Sequence, residues 1–278
     1  MSVRRRMLPT GWYPKSADEC RDEINSFLVG FDPPEGHWIA GVAPHAGWAF
    51  SGRAAAKVVK TLSLMGDVDR VVVFGGHLPG GYAPVAYVED SVETPFGVKS
   101  IDMECTLKLV NSGQAVAAGS NFSDNTIEVQ LPLVGYFFPN AKIVAVHSPS
   151  SDKAINLARD VKTLLDEKGL SAVFLGSADL THYGPNYGFS PKGTGASSVK
   201  WVKEENDSIL LENAVHMKAN ELINAAAIRH NTCSAGPIAS IIEMARLHGV
   251  SQGRLLDYYT SYDVIPGPSF VGYASIVY

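Results

Sequence analysis

Four short apolar runs limit the folds open to this chain: Trp38–Ala43, Arg70–Gly76, Lys142–His147 and Ser171–Ser177. Each has strand length, is rich in β-branched or small apolar residues, and is bounded by glycine, proline, serine or histidine, so each predicts a buried strand. Helical patterns fill the spaces between them. Ser16-Ala17-Asp18-Glu19 has capping-box spacing ahead of Ile24, Phe27 and Leu28. Ser51 is placed to cap a helix that begins at Gly52. Asp102 can cap a helix running to about Asn111. Ser151 can cap another, with Ile155, Ala158, Val161 and Leu165 on one face and Gly169 at its end. Beyond residue 180 helices are predicted over about 197–215 and 218–229, and from Pro237 to about His248. Two strand-like runs, Arg254–Asp263 and Phe270–Tyr278, finish the chain. Such alternation predicts an α/β fold with one central sheet. With 278 residues, 46% of them hydrophobic, and no repeat or linker, a single domain over residues 1–278 is expected.

Histidines follow three of these strands. His45 comes just after the first strand and Pro44. His77 follows Gly75-Gly76. His182 lies beyond the fourth strand, with Asp179 three residues before it. The crevice outside the carboxyl ends of strands is where open α/β sheets bind ligands, and imidazole there can ligate a metal or move a proton. His45 and His77 can converge if their strands are neighbours. Asp179 either orients the His182 ring or caps a helix. Cys233 lies close to the start of the helix that Pro237 opens, where the helix dipole favours thiolate; it is a ligand, a nucleophile or an inert buried thiol. His147 reads as a strand-end histidine of structural role. Trp12 either packs or walls a pocket. Glu128 and Gln130 read by default as solvated helix-face residues. The Gly-, Pro- and Tyr-rich stretch from Gly184 to Gly195 is a long loop of the kind that covers sites.

The net charge of −5 argues against general binding of nucleic acid or anionic membranes, both of which need a basic face. No apolar run approaches the roughly 20 residues of a membrane helix, and no apolar signal segment follows the basic Arg4-Arg5-Arg6. Cys20, Cys105 and Cys233 form neither a disulfide framework nor a CxxC zinc pattern. A reducing, cytoplasmic location is expected.

Several motifs together resemble the MEMO family, whose bacterial and archaeal members are called AmmeMemoRadiSam system protein B. They are Gly11-Trp12-Tyr13-Pro14, Pro44-His45-Ala46-Gly47-Trp48-Ala49-Phe50-Ser51-Gly52, Phe74-Gly75-Gly76-His77, Thr94-Pro95-Phe96-Gly97, Ile127-Glu128-Val129-Gln130-Leu131-Pro132, Ser177-Ala178-Asp179-Leu180-Thr181-His182-Tyr183-Gly184, and Thr232-Cys233 with Pro237-Ile238. Ser269–Tyr273 resembles the family's closing strand. The resemblance implies a central mixed β-sheet flanked by helices, similar to LigB-type class III extradiol dioxygenases. Those enzymes hold Fe(II) with two histidines and a glutamate. In the MEMO family the trio is two histidines and a cysteine, matched here by His45, His77 and Cys233. His182 matches the acid/base histidine, with Asp179 beside it, and Trp12 a pocket tryptophan. Phe50 and Glu128 complete the candidate substrate-binding set. The chain departs from the family's usual residues at Asn125, Phe50 and Ser234.

Two imidazoles and a thiolate leave coordination positions open. Fe(II) is the expected metal, with Cu and Zn as competitors. Three functions are compatible: a non-haem iron oxidoreductase acting on a small aromatic or phenolic substrate, a phosphotyrosine-type ligand-binding module, and a zinc or cysteine hydrolase. The family name further suggests a radical-SAM enzyme and an AMMECR1-like protein as pathway neighbours.

Overall fold

A computed structural model describes residues 2–119 and 121–278. Its strands are Val3–Arg4 (β1), Ala40–Ala43 (β2), Arg70–Leu78 (β3), Val85–Ala86 (β4), Ser91–Thr94 (β5) and Gly97–Ser100 (β6). They continue with Val116–Ala117 (β7), Lys142–Pro149 (β8), Ala172–Ser177 (β9), His182–Tyr183 (β10), Arg254–Thr260 (β11) and Phe270–Val277 (β12). The helices are Ala17–Phe27 (α1), Trp48–Leu62 (α2), Met103–Asn111 (α3), Asn125–Glu128 (α4), Leu131–Phe137 (α5) and Asp152–Glu167 (α6). After these come Ala196–Trp201 (α7), Asp207–Val215 (α8), Ala219–Arg229 (α9), Ala235–Leu247 (α10) and Ser261–Val264 (α11).

The main sheet runs β10-β12-β2-β9-β3-β8-β4-β7, with β11 also paired to β12. Its centre, β2-β9-β3-β8, is parallel, while β12 joins β2 and β4 joins β8 antiparallel. The sheet is therefore mixed, and the four apolar runs form its buried middle. Their side chains alternate between two cores. Val71, Val73, Val173 and Leu175 pack with α1, α2 and α5 on one face. Val72, Phe74, Val144 and Phe174 pack with α6 and α10 on the other. A separate small sheet, β1-β5-β6, lies outside this layer. No helix among the described residues is long and apolar enough to cross a membrane.

Local chemistry explains most element ends. Ser16 and Glu19 form the reciprocal cap of α1, and Asp102 accepts from the Cys105 amide at the start of α3. Elsewhere the structure corrects the sequence reading. The first strand begins at Ala40, because Trp38 turns its indole back to the Pro34 carbonyl. Ser51 does not cap α2. The helix starts a turn earlier with Gly47 at the N-cap, and the Ser51 hydroxyl donates to the Ala46 carbonyl. Ser151 occupies the N-cap of α6, but its hydroxyl makes no capping bond. The helix expected over 197–215 is interrupted by a π-helical turn at Val202–Asn206. The strand from Arg254 stops at Thr260, where Thr260 and Asp263 form a capping box that opens α11. Glu128 and Gln130 are buried rather than solvated, since α4 lies against the end of β3.

Candidate metal centre

His45 and His77 stand at the carboxyl ends of β2 and β3. These strands are not neighbours, because β9 runs between them. The rings meet nonetheless, with Nε2 atoms 3.2 Å apart and ring planes at 82°. Two glycines make this reach possible. A Cβ on Gly75 would lie 2.4 Å from Thr126 Oγ1, so β3 presses directly on α4. Gly76 has φ +110 and sits where a Cβ would be 2.8 Å from the Cβ of His147. Only glycine adopts that backbone readily, and it turns His77 off the strand line towards His45.

Cys233 arrives from the far end of the chain. Thr232 bridges to Leu180 and donates its hydroxyl to the Asp179 carbonyl, while the Cys233 amide also donates to that carbonyl. The sulfur then lies 3.2 Å from His45 Nε2. One donor atom each from His45, His77 and Cys233 lies within 4.8 Å of the other two. Ligand atoms held at roughly 2.0–2.3 Å from one ion stand about 3–3.6 Å apart, and the two contacts to His45 Nε2, each 3.2 Å, have that spacing. The chemistry of the set fits as well. Nδ1 of His77 donates to Asp124 Oδ2 at 3.1 Å, which turns its Nε2 to the centre, where a metal would take the place of the Nε2 proton.

Charges within the cluster sustain one another. Burial opposes a charged sulfur at Cys233, but His45 and its neighbours His182 and His77 outweigh it and hold the thiol well below its ordinary range. Burial likewise opposes protonation of His77, yet Asp124 and Cys233 push its pKa up to about 10. His182 also rises to about 10, with burial outweighed by Asp179 and Cys233. The Asp179 carboxylate lies between two rings, 3.7 Å from His182 Nε2 and 3.9 Å from His45 Nε2. Its other oxygen accepts from the His45 amide at 2.7 Å.

A cavity of about 520 Å3 opens above this floor. Trp12, Phe50, Tyr187, Val271 and Tyr273 supply its apolar wall, with Ile265 and Pro266 at the rim of the segment after α11. Tyr187 packs its ring 4.9 Å from that of His182. Thus His45, His77, Cys233, His182, Asp179, Trp12 and Phe50 are brought together, and Asn125 joins them by donating to the His45 carbonyl. Glu128 does not line the cavity. Its carboxylate is taken up by the amides of Met7 and Leu8 and the Tyr13 hydroxyl, which tie the N-terminal segment down. A substrate contact for Glu128 is therefore corrected to a structural one. His147 is buried between Tyr87 and Phe122 and does not join the cluster, as its place within β8 requires. Burial drives its pKa down to about 4.

Sequence reasoning missed Asp124, Ser177, Tyr187 and Tyr273. The Asp124-x-Thr126 spacing marks a helix cap, which Asp124 indeed makes. Nothing local says that the same carboxylate faces His77.

A sequence profile of the Memo-like protein family matches residues 4–277. A MEMO1 family protein of Methanococcoides burtonii is 29% identical over 279 residues, covering 99% of each chain. Another, from Pyrococcus abyssi, is 30% identical over 249 residues and 86% of each chain. Among solved structures, an uncharacterized protein from Escherichia coli K12 matches at 12% identity with a TM-score of 0.49, covering 86% of this chain and 98% of that one.

Proposed function

The chain belongs to the Memo-like protein family, and we propose that it is a metal-dependent oxidoreductase, with Fe(II) held by His45, His77 and Cys233, acting on a small phenolic substrate. The observation that carries this reading is the convergence of two imidazole nitrogens and one sulfur, with both imidazoles lining an aromatic-walled cavity. Bound iron would supply the one-electron chemistry that lets dioxygen oxidise an electron-rich ring.

The chain's own groups do the rest. Trp12 and Phe50 line the cavity and offer apolar surface on which a planar ring could pack. His182 stands at the cavity with Asp179 behind it, in a position to donate the proton that Asp179 and Cys233 help it hold to an oxygen of the substrate and to recover one afterwards. The cavity wall carries no lysine or arginine among the described residues.

The test is oxygen uptake by protein purified anaerobically and loaded with Fe(II), measured against a panel of phenols and catechols. Uptake with at least one substrate, abolished in the H45A variant, is the expected result. No uptake with iron or copper, together with oxygen-independent hydrolysis by the zinc form, would assign the centre to a hydrolase instead.

A further inference from the structure

His45 and His77 come from strands separated by β9, and one continuous set of hydrogen bonds runs beneath both rings. Asp124 Oδ2 accepts from Nδ1 of His77 at 3.1 Å and from the His77 amide at 3.2 Å. Its Oδ1 accepts from the Thr126 amide at 2.9 Å and from the Thr126 hydroxyl. The Thr126 hydroxyl in turn accepts from the Gly76 amide at 2.7 Å. The Thr126 carbonyl accepts from Ser177 Oγ at 2.6 Å, and Ser177 Oγ lies 3.3 Å from Nδ1 of His45.

Proton counting assigns each partner. An ionised carboxylate only accepts, so Nδ1 of His77 carries a hydrogen. A hydroxyl has a single hydrogen, and the Thr126 carbonyl, which only accepts, takes the one on Ser177. Gln130 Nε2 donates to Ser177 Oγ at 3.0 Å, and it is fixed as the nitrogen because it also donates to the Pro44 carbonyl at 2.8 Å. Ser177 therefore has only a lone pair left for His45, and Nδ1 of His45 must be the donor. Both Nε2 atoms consequently face the centre. Ser177 is the last residue of β9, the strand between the two that carry the histidines. It is wholly buried, as are Thr126 and Gln130.

We infer that Asp124, Thr126, Gln130 and Ser177 form one network that sets the tautomer of both histidines and presents their Nε2 atoms to a metal. Ser177 and Asp124 are its positioning residues. The inference rests on the metal-binding reading above. It accounts for the polar density of residues 124–130, which a core segment would otherwise avoid.

The experiment uses the full chain loaded with Zn2+, a diamagnetic probe. Long-range 1H–15N spectra of the wild type should show hydrogen on Nδ1 and metal on Nε2 for both His45 and His77. The S177A variant should keep its fold by circular dichroism. It should lose the exchange-protected Nδ1–H signal of His45 and bind zinc about 10- to 100-fold more weakly. Coordination through Nδ1 of either histidine in the wild type overturns the inference without any variant having to fold. So does an S177A variant with wild-type zinc affinity. A wild-type chain that takes up no zinc overturns the metal centre itself, and this inference with it.

Discussion

Replacing Asp207 with asparagine should remove a pH dependence of stability that the wild type carries between about pH 4 and pH 6. Asp207 opens α8 and is wholly buried. It accepts from the Thr181 amide at 3.1 Å, the Tyr258 hydroxyl at 2.8 Å and the Thr181 hydroxyl. Burial opposes ionisation and these donors favour it. Burial wins, raising the pKa from 3.8 to about 6. Between those two values the folded protein holds a proton that the unfolded chain has lost, so stability falls as pH rises. The gap of about 2 pKa units, at roughly 1.4 kcal/mol each, amounts to about 3 kcal/mol in all. About 2 kcal/mol of that falls between roughly pH 4.5 and pH 7.5. Asparagine has the same shape, its carbonyl can accept from Thr181, and its amide can donate to the Tyr258 oxygen. Urea unfolding of both proteins, followed by tryptophan fluorescence across that range, isolates the effect, because every other titration is shared. The D207N variant should gain about 2 kcal/mol on the wild type as pH rises. A flat difference, or one that grows in the wild type's favour, would refute the reasoning.

Other outcomes follow from the centre and the core. The C233A variant should lose metal affinity by at least about a hundredfold, because binding spread over so few ligands cannot spare one; chelator competition with elemental analysis measures it. The H182Q variant should keep its metal and lose oxidative turnover by about 10²- to 10⁴-fold, so equal loss of both would deny His182 a separate part. Gly76→Ala forces a methyl towards His147 at a positive φ; it should lower stability by about 1–3 kcal/mol and weaken zinc binding by displacing His77. Leu157→Ala, in the α6 core, should destabilise by about 2–5 kcal/mol with zinc affinity unchanged, which checks that weakened binding is not a general consequence of instability.

Short-range patterns in the sequence determined a great deal here. Apolar runs marked the central strands and the buried face of α6, and cap residues marked α1 and α3, because strand burial, helix periodicity and helix capping depend on residues a few positions apart. Motif resemblance singled out His45, His77, Cys233 and His182, and the structure lines one cavity with the three histidines and sets the Cys233 sulfur against His45. What the sequence could not decide was adjacency. It tied convergence of His45 and His77 to neighbouring strands, whereas β9 lies between them and the irregularity that Gly75 and Gly76 put into β3 closes the distance. It read Glu128 and Gln130 as solvated, although α4 packs on β3 and buries both. It gave no sign that Asp124 and Ser177 support the two rings. Strand order and helix docking join residues dozens of positions apart, and such contacts are set by how whole layers pack, so only the tertiary structure could supply them.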